Sequence, residues 1–318
     1  MMTYVLLVVG LALLAIGGEV LVRGATQAAR MLGVSPLLIG LTLVGFGTST
    51  PELVTSLTAA FEGSPGIAIG NVVGSNTANI LFILGLTALI MPLAVDKEAF
   101  KRDGLVLILS TFACLGAILL GFMERWVGIV FLLGLIAYVV WAYMGERKTG
   151  GAEAQMQEHK VEDTGALPGG LIGALVFAVG GIAITIVGAR FLVDSAIDIA
   201  KGFGISDTII GLTVVAVGTS LPELITSVIA ALRRHSDVAL GNIIGSNIYN
   251  VLGILGVTAL IKPIPVPPQI AQLDIWVMLG ATVLLLVFLR SGSKLVRWEG
   301  AVFMGLYAAY VAWLVATA

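Results

Sequence analysis

Residues 45–56 read GFGTSTPELVTS, and residues 216–227 read AVGTSLPELITS. Each places a Gly-Thr-Ser-x-Pro-Glu run inside a long apolar stretch, and the two runs lie 171 positions apart. At that offset, 30 of the 53 positions in 40–92 are identical to those in 211–263, without a gap. A second shared run follows in each half, GNVVGSNTAN at 70–79 and GNIIGSNIYN at 241–250. Ungapped identity at this density marks a duplication, so the chain reads as two copies of one unit.

The surroundings of these runs say what kind of unit it is. The chain has 318 residues, 58% apolar and 11% charged, with a mean hydropathy of +1.06. A soluble domain carries about 25% charged residues. Apolar runs long enough to cross a bilayer recur along the sequence, and they are continuous rather than alternating, which selects helices over a barrel. The expected fold is an all-α membrane protein with ten spans, at about 2–22, 35–60, 66–90, 104–122, 126–145, 169–193, 206–232, 237–261, 271–290 and 298–317. The stretch from residue 1 to 22 lacks a basic leader and reads as the first span, not a cleaved signal. One cysteine, Cys114, leaves no intramolecular disulfide to form. No basic cluster suggests nucleic acid.

Five spans per copy is an odd number, so the second copy enters the bilayer from the opposite face. The result is a pair of inverted-topology five-helix repeats, expected at 1–145 and 169–318, with a polar linker at 146–168. The Lys/Arg distribution points the same way. Four of these residues (Arg125, Arg190, Lys201 and Lys262) fall on the side of the termini, and thirteen on the other. Basic residues favour the cytoplasm. The linker is therefore expected to be cytoplasmic and both termini extracytoplasmic, in the plasma (inner) membrane.

Glu52 and Glu223 fall at the middle of the second and seventh spans. A carboxylate inside a bilayer costs roughly 3 kcal/mol on insertion scales and is retained for function. Pro51 and Pro222 each remove a helical N–H and clash with the carbonyl four residues back. With the preceding Gly-Thr-Ser they predict broken helices 2 and 7, whose freed carbonyls must face a cavity rather than lipid. Carbonyls, hydroxyls and a carboxylate are hard oxygen ligands suited to Na⁺ and Ca²⁺. In the next span of each copy, Asn71, Ser75 and Asn79, and likewise Asn242, Ser246 and Asn250, are spaced four apart and share a helix face. For Asn71, Asn76, Asn242 and Asn247 a purely helix-gluing role reads equally well. Gly70 with Gly74, and Gly241 with Gly245, permit close helix approach. Asp103 and Asp274 open the fourth and ninth spans and read as N-caps. Glu19 with Arg23, and Arg190 with Asp194, read as local i, i+4 pairs. Both histidines, His159 and His235, fall in expected loops. With no Cys/His set and no nucleophile–base pair, the chain is not expected to be an enzyme.

The doubled GTSxPEL and GNxxGSN motifs resemble the sodium/calcium exchanger branch of the cation/calcium antiporter superfamily, over essentially the whole chain. The resemblance implies a core of spans 2, 3, 7 and 8, and long gating helices at spans 1 and 6. Carried over position by position, it makes Glu52 and Glu223 the central Ca²⁺ carboxylates. It gives Na⁺ the side chains of Thr48, Ser49 and Ser75 with the carbonyl of Gly45, and those of Thr219, Ser220 and Ser246 with the carbonyl of Ala216. Asn79 and Asn250 would line the middle. Asn250 stands where some relatives carry Asp, which argues against potassium coupling. The implied activity is electrogenic Na⁺/Ca²⁺ antiport by a monomer in the bilayer, with the two ions as substrates and no cofactor. Two rivals stay open at this point: a proton-coupled cation exchanger of the same fold, and a passive cation channel.

Overall fold

A computed structural model of the chain describes residues 2–94, 97–149, 168–202, 216–292 and 294–317. These are nearly all helical: α1 (Met2–Leu32), α2 (Leu37–Thr48), α3 (Thr50–Phe61), α4 (Pro65–Ile90), α5 (Lys97–Leu119), α6 (Arg125–Thr149), α7 (Gly170–Gly202), α8 (Ala216–Thr219), α9 (Leu221–Leu232), α10 (Ser236–Ile261), α11 (Ile270–Arg290) and α12 (Arg297–Thr317). Eight helices among the described residues are long and apolar enough to cross a membrane. The pair α2 and α3, bent by 43° at Ser49, makes a ninth. Of the expected span at 206–232, the first part lies outside the described residues, and α8 and α9 form the rest. The linker expected at 146–168 likewise falls outside them from 150 to 167.

The exterior is largely apolar, and a set of polar side chains is buried within an otherwise apolar core. Large side chains such as Val8, Leu133, Ile172 and Trp298 are exposed, whereas Thr48, Ser49, Glu52, Asn79, Ser220, Glu223 and Asn250 are buried. That arrangement suits a chain whose solvent is lipid.

The inverted relation of the copies is visible in how they touch. A Cβ on Gly10 of α1 would meet Leu192 and Gly188 of α7; one on Gly17 would meet Thr185, and one on Gly24 would meet Ala178 and Ala174. Numbers rise along one helix as they fall along the other, so α1 and α7 run antiparallel along a glycine seam. Two short strand pairs also stitch the copies together. Strand β1 (Leu93–Ala94) pairs with β4 (Lys294–Leu295), and β2 (Phe122–Met123) with β3 (Ile264–Pro265), each antiparallel.

Three expectations need correction. The first and sixth helices run far beyond 22 and 193, to Leu32 and Gly202. At ~1.5 Å per residue, α1 is ~46 Å long, against a hydrocarbon core of ~30 Å. Glu19, mid-helix, does more than pair with Arg23 at 2.6 Å: it also binds Arg233 at 2.7 Å, at the end of α9. Arg190 and Asp194 do form the local pair, at 3.8 Å. Asp103 and Asp274 are not N-caps. Asp103 lies a turn and a half inside α5, fully buried, where Arg102 donates to both its oxygens and Tyr138 donates at 3.2 Å. Asp274 ends a π-helical turn, Ile270–Asp274, and accepts from Tyr310 at 2.9 Å. Each aspartate thus ties its helix to the following one. Finally, Gly241 and Gly245 do allow α10 to ride on the backbone of Leu37 and Leu41, but a Cβ on Gly74 would meet nothing within 4 Å among the described residues.

Candidate ion-binding site

Both helix breaks fall on the serine of the motif. Ser49 (φ −81°, ψ 10°) and Ser220 (φ −90°, ψ 9°) leave helical geometry, and Pro51 and Pro222 occupy the first turn of α3 and α9. Proline is preorganised for that place and has no N–H to waste there. Glu52 and Glu223 therefore sit in the first turn of a half-helix, where the free amides and the helix dipole favour negative charge.

The two breaks are cross-linked. Ser49 Oγ donates to Glu223 Oε1 at 2.8 Å, and Ser220 Oγ donates to Glu52 Oε1 at 3.1 Å. Each copy's break thus holds the carboxylate of the other. Both glutamates are buried, and among the described residues neither forms an ion pair.

The next helices fix these breaks from the side. Asn71 Nδ2 donates to the Glu52 carbonyl at 3.0 Å and to Ser56 Oγ at 2.9 Å. Asn242 Nδ2 does the same to the Glu223 carbonyl at 3.2 Å and to Ser227 Oγ at 2.9 Å. Asn71 thus lies against the Glu52 half-helix and Asn242 against the Glu223 half-helix, while Asn79, Ser246 and Asn250 on the same faces reach into the other repeat. A clasp joins α4 to α10 deeper in. Asn76 Nδ2 donates to the Asn247 carbonyl at 3.0 Å, and Asn247 Nδ2 returns the bond to the Asn76 carbonyl at 3.4 Å. The side-chain oxygens of this pair accept from Asn250 and Asn79 respectively, each at 2.9 Å. All four asparagines that read as either ligands or glue make hydrogen bonds between helices.

Asn79 and Asn250 also begin π-helical turns, Asn79–Leu84 and Asn250–Leu255. Such turns recur at functional sites, and no local sequence signal marks them.

What remains is a set of oxygens without protein donors. Glu52 Oε2, Glu223 Oε2, Asn79 Oδ1, Asn250 Oδ1 and Ser75 Oγ are buried and have no hydrogen-bond partner among the described residues. Each such atom costs about 1–3 kcal/mol if left alone. Two formal negative charges with neutral oxygens beside them form a hard, anionic donor set that fits a small cation.

The two ends of the site differ. Thr48 Oγ1 donates to the Val44 carbonyl at 3.0 Å and reaches Asn242 Oδ1 at 3.2 Å. Ser246 Oγ donates to the Gly45 carbonyl at 3.1 Å, which also accepts the Ser49 amide. Ser75, the counterpart of Ser246, has no such bond among the described residues. Beside the satisfied end, Phe46 stacks on Tyr249 with ring centroids 4.5 Å apart, where the other copy has Val217 and Ala78. Thr219 is half-buried next to the second break, and Ala216 starts α8.

The family described as "Sodium/calcium exchanger protein" matches residues 2–144 and 172–316. The chain belongs to the sodium/calcium exchanger family. It is 35% identical to the sodium/calcium exchanger MaX1 of Methanosarcina acetivorans, over 97% of both chains. It is 38% identical to the inner membrane protein YrbG of Escherichia coli, over 97% of this chain and 95% of that one. The crystal structure of the sodium-calcium exchanger NCX_Mj soaked with Na⁺ and Ca²⁺ superposes with a TM-score of 0.83 at 36% identity, covering 98% of both chains. The exchanger is thus a multi-pass membrane protein with inverted repeats and a broken helix 2. The break expected in helix 7 appears at Ser220.

Proposed function

We propose that this exchanger moves Na⁺ and Ca²⁺ in opposite directions through one site held by Glu52 and Glu223. The observation that carries the proposal is the cross-linked pair of buried carboxylates, each with one oxygen free of donors among the described residues.

Ca²⁺ binding between Glu52 Oε2 and Glu223 Oε2 neutralises the pair, with Asn79 Oδ1 and Asn250 Oδ1 as neutral ligands. Na⁺ is assigned to the flanks. On one flank the ligands are Thr48 and Ser49 with the Gly45 carbonyl, joined by Ser246 rather than the expected Ser75, because Ser246 Oγ lies on that carbonyl; on the other, by the repeat, Thr219 and Ser220 with the Ala216 carbonyl are joined by Ser75 rather than Ser246. Ser49, Ser220 and Ser246 now spend their protons on protein acceptors, and turning each hydroxyl offers its lone pair to an ion. Both ions need the same two carboxylates, so full occupancy by one excludes the other, and that competition makes an exchanger rather than a leak. A load of more than two Na⁺ leaves net positive charge on the site, which makes the cycle electrogenic.

Access alternates when the antiparallel pair α1 and α7 shifts over the breaks. Ile182 and Val193 of α7 lie where a Cβ on Gly47 and on Gly218 would fall, so α7 lies over both junctions. The orientation with the linker in the cytoplasm follows the Lys/Arg bias.

Ca²⁺ uptake into proteoliposomes tests the reading. One set is preloaded with Na⁺, a matched set with K⁺, and a third carries only a pH gradient. Uptake is expected only with internal Na⁺, and Glu52→Gln or Glu223→Gln should abolish it while the melting temperature holds. Wild-type flux in either variant removes the site assignment, and uptake driven by the pH gradient alone replaces Na⁺ with protons as the coupling ion.

A further inference from the structure

Away from the ion site, α11 and α12 enclose an elongated apolar groove of about 820 Å³, lined by Trp276, Gly280, Val283, Val287, Leu306 and Trp313. On α11 its lining runs from 273 to 287 in steps of three and four, which is one helix face, ~21 Å long at ~1.5 Å per residue. The large side chains along it are exposed. A Cβ on Gly280 would meet nothing within 4 Å among the described residues, so the missing side chain of this glycine leaves the floor of the groove open.

The groove ends in positive charge. Arg290 is three residues beyond Val287, so it continues the same face; it is exposed and has no ion-pair partner among the described residues. Lys294, on β4, is exposed one turn of chain later. Arg297 opens α12, with its Nε on the Leu89 carbonyl at 3.2 Å. The acid of this turn, Glu299, is buried and accepts the Val296 amide instead.

We propose that the groove and this cationic turn bind an anionic phospholipid, with an acyl chain along α11 and the phosphate at Arg290, Lys294 and Arg297. The surface faces the hydrocarbon around two spanning helices. A groove of ~21 Å accommodates the ~15 Å that an acyl chain spans in one leaflet. The cations stand at the end of the groove, at headgroup depth, and charge complementarity selects an anionic lipid over a zwitterionic one. This site is independent of the ion-binding reading.

Trp276 and Trp313 serve as reporters. A variant with Trp126, Trp141 and Trp298 changed to Phe keeps both in the groove. It is placed in phosphatidylcholine vesicles containing either brominated phosphatidylglycerol or brominated phosphatidylcholine at equal mole fraction. The phosphatidylglycerol probe should quench the more strongly. Arg290→Gln with Lys294→Gln should lower that preference by about fivefold per charge removed, and Gly280→Phe should weaken quenching by both probes. If Gly280→Phe does not fold, the charge variant decides alone. Equal quenching by the two probes, or a preference that survives removal of both charges, overturns the proposal. So does a disulfide-linked dimer of Val283→Cys that excludes both probes, since a second copy of the chain then fills the groove.

Discussion

Ser49 Oγ lies 2.8 Å from Glu223 Oε1, so the helix break of one repeat holds the carboxylate of the other. The mirror bond, Ser220 to Glu52, is 3.1 Å. Each serine is three residues ahead of its own glutamate, yet it bonds the partner's. The site is therefore shared between the copies, and neither repeat can build it alone.

This crossing sets a pattern of energetic coupling. In double-mutant cycles on Ca²⁺ affinity, Ser49→Ala should couple with Glu223→Gln by about 0.5–3 kcal/mol, as residues in contact do. Ser49→Ala with Glu52→Gln should be closer to additive. Isothermal titration of the four variants against Ca²⁺ measures both terms. Coupling that is larger within a repeat than between repeats would refute the crossed arrangement.

The repeat, the breaks and the two glutamates were legible because each leaves a local mark: a matched run, a proline, a carboxylate in an apolar stretch. What was not legible depends on contacts between distant residues. Glu19 and Arg23 look like a helix-end pair until Arg233, more than 200 positions away, joins them. Asp103 has the spacing of a cap, but Arg102 and Tyr138 let it stay buried inside the helix. The reciprocal clasp of Asn76 and Asn247 has no signal beyond the repeat itself. Its symmetry follows from the duplication, while the choice between ligand and glue is made by which atoms face which.

That clasp should carry stability. Asn247→Ala strands the buried Asn79 amide, at about 1–3 kcal/mol, and removes a second bond from the Asn76 carbonyl, which still accepts the Asn79 backbone N–H. The melting temperature in detergent should fall clearly. Asn247→Asp keeps an acceptor for Asn79 and should fall less. Equal losses for both variants would show that the Asn79 bond contributes nothing.

His235, in the turn between α9 and α10, gives the fold a pH dependence. Its burial, and then the charges of Arg30 and Arg233, lower its pKa from the ordinary 6.5, while Glu19 pushes the other way. The unfolded chain then takes up a proton where the folded chain resists it. This contribution is complete above about pH 6.5 and is lost as pH falls through that value towards the lowered one. Between about pH 7.5 and 5.5, the melting temperature of wild type should drop more than that of His235→Gln. Equal drops would assign the pH dependence to other groups.

The glycine seam offers the sharpest comparison, because two adjacent glycines have opposite surroundings. A Cβ on Gly181 would fall against the backbone of Leu21 and 2.8 Å from the Gly17 carbonyl, and backbone cannot step aside as a side chain can. A Cβ on Gly180 would meet nothing within 4 Å among the described residues. Gly181→Leu should therefore push α1 and α7 apart, at a cost of about 1–3 kcal/mol or more. Gly180→Leu should be tolerated and should even gain helix propensity, because glycine is the poorer helix former by about 1 kcal/mol. Thermal unfolding in detergent separates the two. The same variants in the flux assay then ask whether the pair must stay in contact for transport. Loss of Na⁺-driven Ca²⁺ uptake in Gly181→Leu, at a temperature where it remains folded, would mean that the two long helices move as one body.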